Sequence, residues 1–321
     1  MTDNPQISVI MSVYNGERYL RQAIESVLNQ TLPDFEFVIV NDASTDSSLQ
    51  IMQSYDDGRI RIINNETNIG LTRSLNIAIE QARGELIARQ DADDISLPNR
   101  LEEQLRFFEQ HPETVLLGTG IYIIDEDGKR RGKRILKDYP GRNEFQGNWF
   151  SHGSAMFRRD IVRGLGGYNE LFKYSQDYEL WLRIAKKHLE QIRGLPQVLY
   201  MLRFHDENLQ FTNRTEGVLY RLLALRMSHE ELDKELFKTI KTKGIRSLLG
   251  YLNKDERITY HKHMAYMHVQ ANDMRQARAE YQEVLKLSPR EYYDYLNIIL
   301  SYIGKGAWSA AHRLFFFVKS M

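Results

Sequence analysis

Between Ile7 and Asp94 the chain alternates two hydrophobic rhythms. Short apolar runs rich in Val and Ile, at Ile7 to Val13, Phe35 to Asn41, Arg59 to Asn64 and Leu86 to Gln90, have the length and composition of buried strands. Between them, Tyr19 to Asn29, Thr45 to Tyr55 and Leu71 to Arg83 repeat apolar residues every three to four positions, the spacing of a helix with one buried face. Ser44 is the expected N-cap of the second helix. Strand and helix in alternation predict βαβ units, right-handed crossovers and a parallel sheet.

Further on, Ser96 and Pro98 mark the start of a helix reaching about His111, because proline fits a first helical turn. Val115 to Asp125 reads as a strand entering a turn at Asp127-Gly128, and His152 to Phe157 as another strand. Ser175 to Lys187 reads as a helix after the loop Gly164-Leu165-Gly166-Gly167, and Val198 to Met201 as a strand. From about Thr215 the pattern is helical. The expected division is a catalytic α/β domain over 1–214 and a smaller all-helical region over 215–321. In the latter, Ala277, Tyr281 and Pro289 fall at the spacing of a single tetratricopeptide-like hairpin; one repeat cannot bury its own apolar face, so a helical appendage is expected and not a solenoid.

The polar residues at the strand ends add chemistry to this frame. In an open parallel sheet, ligands bind beyond the carboxyl ends of the strands, where loops and helix N-termini converge. The first strand runs into Tyr14-Asn15-Gly16-Glu17, the second into Asn41-Asp42, and the fourth into Asp91-Ala92-Asp93-Asp94. Adjacent carboxylates repel and raise one another's pKa. A divalent cation removes that conflict, and Mg²⁺ or Mn²⁺ takes one or two carboxylates together with substrate phosphates. The competing reading is a solvated acidic loop in which Asp94 starts the helix near Pro98. A position directly after a buried strand favours the ligand site.

Charge and composition narrow the partners. The 321 residues contain 43 basic and 43 acidic side chains, so no overall field favours nucleic acid. The stretch from Arg221 to Met321 carries an excess of six basic side chains, matched by an acidic excess before it. No cysteine is present, which excludes disulfides and thiolate zinc sites and fits a reducing compartment. The start, MTDNPQISVIMSVYN, lacks the pattern of a signal peptide, and no segment approaches the roughly 20 apolar residues of a membrane span. The expected location is the cytoplasm, with peripheral attachment to the inner face of the membrane open.

The segments ISVIMSVYNGERYL, FVIVNDASTDSS, NETNIGLTRSLN, GELIARQDADD and YSQDYELWLRI occur in the order found in family-2 glycosyltransferases, and Ile7 to about Phe211 resembles that family. The resemblance implies a GT-A fold: a mostly parallel nucleotide-sugar-binding sheet flanked by helices. It implies an inverting transfer from a nucleotide diphosphate sugar, a UDP-sugar by preference, to a saccharide or lipid-linked saccharide hydroxyl, assisted by Mn²⁺ or Mg²⁺. By family habit the pathway is bacterial surface polysaccharide biosynthesis, with hexose or N-acetylhexosamine as the sugar.

Carried over by position, Tyr14 and Glu17 help hold the base and ribose, and Asp42 hydrogen-bonds the base. Physically, an aromatic face can stack on a base and a carboxylate can accept a ring N–H. Arg73 contacts the nucleotide or pairs with an acidic neighbour. In the family's aspartate (DxD) motif, the first carboxylate faces the ribose and the last binds metal, which assigns those roles to Asp91 and Asp93. Asp177, in an acidic helix start before Trp181, matches the family's general base; by sequence alone it equally stabilises that helix end. His205 matches a histidine that completes the metal site or contacts the diphosphate. His152 either lies near the acceptor or is a core histidine, and Trp149 and Trp181 either face a sugar or pack the core.

Other classes fit less well. A nucleotidyltransferase begins with a glycine-rich phosphate loop, whereas Met11 to Gly16 has a single glycine, and a dehydrogenase needs G-x-G-x-x-G after its first strand. A non-catalytic scaffold with a partner-binding tail would not need Asp42, Asp91, Asp93 and Asp177 together. For the tail, the run Trp308 to Val318 either lies on a membrane surface or packs against the catalytic domain or a second subunit.

Overall fold

Each of the four apolar runs that open the chain forms a strand of one sheet. The computed structural model describes residues 5–137, 150–205, 214–229, 232–289 and 297–298, and the chain divides into two compact units, Met1–Asn208 and Leu209–Met321. Trp149 and the Trp308 to Val318 run lie outside the described residues.

In the first unit, β1 (Ile7–Val13), β2 (Glu36–Asn41), β3 (Ile60–Asn64) and β4 (Leu86–Arg89) pair in parallel in the order β3-β2-β1-β4. Every residue of β2 is buried, as expected for a strand covered on both faces. The crossovers are α1 (Leu20–Leu28), α2 (Ser48–Gln53) and α3 (Leu71–Gln81). On α1, Leu20, Ala23, Ile24 and Val27 form the buried stripe, with the period that predicts the helix. Beyond β4 the sheet becomes mixed. β8 (Met156–Arg158) pairs antiparallel with β4 and with β6 (Leu116–Ile124), β6 pairs parallel with β9 (Ile192–Arg203), and β5 (Ile95–Ser96) closes the order against β9. A helix α4 (Arg100–Gln110) separates β5 from β6.

Several local expectations change. Ser44 does not cap α2; its hydroxyl accepts from Asn15 N at 3.1 Å, and Asp46 Oδ1 takes Ser48 N instead. The segment His152 to Phe157 is a 3₁₀ turn, His152–Ser154, followed by the short β8. β7 (Arg130–Arg134) is an edge strand of mostly exposed charged residues, so it carries no apolar alternation to read. β9 extends back to Ile192 across Pro196, where its register with β6 shifts, and that proline hides the strand. The helix α5 (Arg159–Gly164) precedes the glycine loop, and α6 (Gln176–His188) follows it.

The amino-terminal edge of the sheet holds a purely structural ion cluster. Glu36, buried at the start of β2, accepts from Ser8 Oγ at 2.5 Å, Arg83 N at 2.5 Å and Arg83 Nε at 3.0 Å. Burial pushes its carboxyl up, but these hydrogen bonds from Ser8 and Arg83 outweigh it and hold the group below the usual carboxylate range. A depressed pKa stabilises the fold above the unfolded value and ceases to do so as pH falls through the folded one. Glu36→Gln therefore lowers stability by about 2 kcal/mol at pH 7, and the gap between variant and parent closes below about pH 4. Chemical denaturation at both pH values checks this; equal stability at pH 7 overturns it.

The second unit is helical throughout its described residues: α7 (Arg214–His229), α8 (Lys234–Lys243), a 3₁₀ segment Ile245–Tyr251, α9 (Lys254–Gln270) and α10 (Met274–Leu287). Asn253 and Glu256 form a reciprocal capping box at the start of α9. The hairpin α9/α10 buries Ala277 and Tyr281, two of the tetratricopeptide-spaced residues, and His261 Nδ1 meets Glu280 Oε2 across it at 2.6 Å. No described helix is long and apolar enough to cross a membrane.

Candidate functional site

The strand order reverses direction at β1: β2 and β3 lie on one side and β4 on the other. The loops after β1 and β4 diverge at such a switch point and leave a crevice beyond the strand ends. Three of the four described non-glycine residues with positive φ line this rim: Asn15 at 50°, Ala43 at 57° and Ser175 at 56°. Backbone strain of this kind clusters at functional sites.

On the β1/β2 side, Glu17 and Asp46 tie two loops together. Glu17 N donates to Asp46 Oδ2 at 3.0 Å, and Ser47 N donates to Glu17 Oε2 at 2.9 Å. Tyr14 is 52% exposed, leaving its ring open to solvent. Asp42 is buried and accepts three hydrogen bonds, from Asn65 Nδ2 at 2.8 Å, Ile69 N at 2.9 Å and Gly70 N at 2.8 Å. It thereby pins the Ile69-Gly70 backbone just before α3 and retains one lone-pair site on Oδ2. Arg73 pairs with Glu170 at 3.0 Å, both side chains more than half exposed, which is the acidic-neighbour alternative of the sequence reading.

The acidic loop after β4 separates its three carboxylates. Asp91 faces inward to a fully buried arginine, Arg89, whose Nη2 is 2.5 Å from Asp91 Oδ1. Burial, with Asp93 and Asp177 adding to it against Arg89, raises the Asp91 carboxyl. Asp94 is buried and accepts from Arg203 N at 2.7 Å, which ties the loop to β9; it does not start a helix. Burial, reinforced by Asp93 and Asp91, pushes its carboxyl well above the ordinary range. Asp93 points elsewhere: its Oδ2 lies 2.9 Å from Nε2 of His205, with the Asp93 side chain 31% exposed. Adjacent ligands of an octahedral ion bound at about 2.1 Å are about 3 Å apart, so this pair fits two neighbouring positions on one cation. Among the described residues no group of three such side chains surrounds a common point. Any cation held here takes its remaining ligands from water or phosphate oxygens, the habit of Mg²⁺ and Mn²⁺.

Asp177 reaches the crevice from a distant part of the chain. It lies in the first turn of α6, buried, after the left-handed Ser175. Its charge raises Asp91, which brings together in space two carboxylates 86 positions apart in sequence. One turn later, buried Trp181 packs against Phe150, Phe157 and the edge of His152. It is therefore a core residue. His152 lies between Trp181 and Tyr168, with Nε2 2.7 Å from the Tyr168 hydroxyl. The adjoining Gly153 is pressed against Tyr200 and Asp91: a Cβ there would stand 2.7 Å from Asp91 Oδ2 and closer still to the Tyr200 hydroxyl.

Sequence reasoning missed the buried cations behind the aspartates. Arg89, Arg100 and Arg203 are at most 1% exposed. Arg100 donates to Arg89 O and Ser96 Oγ, both at 2.8 Å, and its guanidinium lies 4.9 Å from the Tyr200 ring centre. Burial lowers its pKa to about 10, still charged at neutral pH. Arg203 donates to Asp93 O at 2.8 Å, Glu126 O at 2.9 Å and Gln22 Oε1 at 2.8 Å. Two signals were available: Arg89 ends an otherwise apolar strand, and Arg100 stands in a helix first turn where a cation opposes the dipole.

Known proteins match this architecture. The sequence model of Glycosyl transferase family 2 matches residues 8–166. The EpsE protein of Bacillus subtilis is 41% identical over 211 residues, covering 63% of this chain and 74% of EpsE. The amylovoran biosynthesis glycosyltransferase AmsE of Erwinia amylovora is 36% identical over 233 residues, covering 69% of this chain and 87% of AmsE. Among solved structures, S. aureus TarS 1–349 in complex with UDP-GlcNAc superposes with a TM-score of 0.59 at 18% identity, over 96% of this chain and 92% of TarS, a likeness of fold. The fold, the switch-point crevice with its carboxylates and these matches together make the chain a member of glycosyltransferase family 2, with the GT-A architecture and a helical C-terminal region.

Proposed function

We propose that this glycosyltransferase moves a hexose or N-acetylhexosamine from a nucleotide diphosphate sugar, a UDP-sugar by preference, to a hydroxyl of a saccharide or lipid-linked saccharide, with inversion. The pathway we assign to it is surface polysaccharide biosynthesis, a reading supported by its likeness to AmsE, a glycosyltransferase named for amylovoran biosynthesis. The observation that carries the reading is the convergence of Asp91, Asp93 and Asp177 from two separate elements on one crevice at the β1/β4 switch point.

In this reading Tyr14 stacks on the base, Asp42 accepts a base N–H through its remaining lone pair, and Glu17 braces the loop carrying Tyr14. Asp91, oriented by Arg89, accepts from the ribose. Arg73 closes the rim through Glu170 and swings to the nucleotide when it binds. Asp93 and His205 hold Mn²⁺ or Mg²⁺, which neutralises charge on the diphosphate leaving group when bound. Asp177 takes the proton of the acceptor hydroxyl as that oxygen attacks the anomeric carbon and the nucleoside diphosphate departs. A single displacement with one base inverts the centre, unlike the two-carboxylate route of retaining glycosidases. The catalytic domain is assigned to 1–214 and the helical region, a site for membrane contact or a second subunit, to 215–321.

The test is calorimetric titration with UDP-N-acetylglucosamine, UDP-glucose, UDP-galactose and GDP-mannose, each with Mn²⁺ and with chelator. One donor is expected to bind with Mn²⁺ and to lose at least about tenfold in affinity with chelator or in Asp93→Ala, a change of about 1.4 kcal/mol. No heat from any donor, with the protein folded, overturns the assignment in favour of a scaffold.

A further inference from the structure

Gly153 and Tyr200 stand against Asp91 and have no part in the mechanism so far. Gly153 is the buried middle residue of the 3₁₀ turn His152–Ser154. Five other described glycines have a positive φ and Gly153 does not, so its backbone does not require glycine. Space does require it. A Cβ at this position would overlap the Tyr200 hydroxyl and stand 2.7 Å from Asp91 Oδ2. The turn is tied on both sides and cannot back away. His152 packs against the Trp181 edge and meets the Tyr168 hydroxyl at 2.7 Å, and Ser154 O accepts from the buried Gln104 Nε2 at 3.1 Å.

Tyr200 is equally fixed. It is fully buried in β9, opposite Ile121 of β6 on one side and Ser96 of β5 on the other, with the Arg100 guanidinium 4.9 Å from its ring centre. From there its hydroxyl accepts from Asp91 N at 3.2 Å. Asp91 is therefore held at two points, its backbone by Tyr200 and its Oδ1 by Arg89 Nη2 at 2.5 Å. Its Oδ2 accepts no hydrogen bond from the described residues, and the side chain keeps 28% exposure. One carboxylate oxygen is thus left with its lone pairs for a ligand. We propose that Tyr200 and Gly153 are positioning residues for Asp91: the hydroxyl fixes the Asp91 backbone, and the missing side chain keeps the space around Oδ2 free, so that this oxygen meets the donor. The role in donor binding rests on the reading of Asp91 as a donor contact; the hold of Tyr200 on the Asp91 amide does not.

Amide hydrogen exchange of the full chain without substrate reads that hold. Tyr200→Phe keeps the ring against Arg100 and removes only the hydroxyl. Exchange at the Asp91 amide is expected to quicken at least about fivefold, with β1 and β2 exchanging as in the parent. Unchanged exchange at Asp91 overturns the proposal. Donor affinity is then measured by calorimetry with Mn²⁺ and the four donors named above. Tyr200→Phe is expected to raise the Kd of the donor that binds about 5- to 10-fold, the fold-change of one lost hydrogen bond. In an Asp91→Asn background the same substitution is expected to change Kd less than about twofold. An equal loss in both backgrounds, or a change under about twofold in the parent, overturns the positioning role, because a merely structural effect does not depend on the Asp91 carboxylate. Gly153→Ala is expected to weaken donor binding further. Thermal unfolding shows whether that variant folds; if it folds and binds like the parent, the role of the missing side chain is wrong, and if it does not fold, Tyr200→Phe decides. If Asp91→Asn binds donor like the parent, the reading of Asp91 falls and the positioning role with it. If Asp91→Asn is weakened and Tyr200→Phe is not, only the positioning role falls.

Discussion

Asp177→Asn is expected to lower glycosyl transfer by about 10³-fold, within the range for loss of a general base, while donor affinity stays within about twofold. The amide has nearly the shape of the carboxylate and preserves the start of α6, but it cannot take a proton from the acceptor hydroxyl. Donor binding is spared for an electrostatic reason. The Asp177 charge raises the Asp91 carboxyl, so removing it relieves that carboxylate. If Asp177 served only the helix end, the substitution would cost about 0.5–1 kcal/mol of stability and leave turnover alone. Measuring kcat, donor Kd and thermal stability on one preparation separates the two, and full turnover by the variant would falsify the assignment.

The second large effect is on stability. Arg89→Met is expected to destabilise the first unit by about 3–5 kcal/mol, the usual result of removing one partner from a buried ion pair. Arg89 is completely buried and faces Asp91, with Asp93 and Asp177 also acting on that carboxylate. Without the guanidinium, Asp91 loses its nearest opposing charge and keeps only the more distant Arg100 against Asp93 and Asp177. Arg89→Lys is expected to recover only part of the loss. The arginine fork reaches Asp91 Oδ1 with one nitrogen and the Gln90 carbonyl with the other, and a lysine is a single point charge. Denaturant unfolding of the three proteins checks the order; a methionine variant within about 1 kcal/mol of the parent would mean that the pair contributes little net stability.

These two residues differ in how they appear in the sequence. Asp177 is visible because it combines an acidic helix start with Trp181 in a pattern the family shares. Arg89 reads as one more charge before the acidic loop unless its place at the end of an apolar strand is weighed, and it is the pairing of β4 with both β1 and β8 that buries it. His152 illustrates the same limit. Its sequence left a core histidine and an acceptor-side histidine open, and the structure packs it against Trp181, one position before the Gly153 that presses on Asp91. Arg73 was legible as a residue with two uses, and its partner, Glu170, lies 97 positions away.

What the sequence determined by itself are the properties that depend on near neighbours along the chain. The apolar pattern made the first four strands and three helices predictable to within a few positions, because burial of one face imposes a 3.6-residue rhythm on a helix and burial of both faces gives a strand an unbroken apolar run. It also placed the polar residues at the strand ends, and so Asp91 and Asp93 beside a crevice. Only the tertiary structure decided how that acidic loop divides its labour. Asp91 turns to a buried arginine, Asp94 to the backbone of β9, and Asp93 to His205. Two of those partners lie 109 and 112 positions away, brought in by long-range strand pairing that no local rhythm encodes. Electrostatics in a buried site is set by distances in space, and the chain supplies those distances only once it is folded.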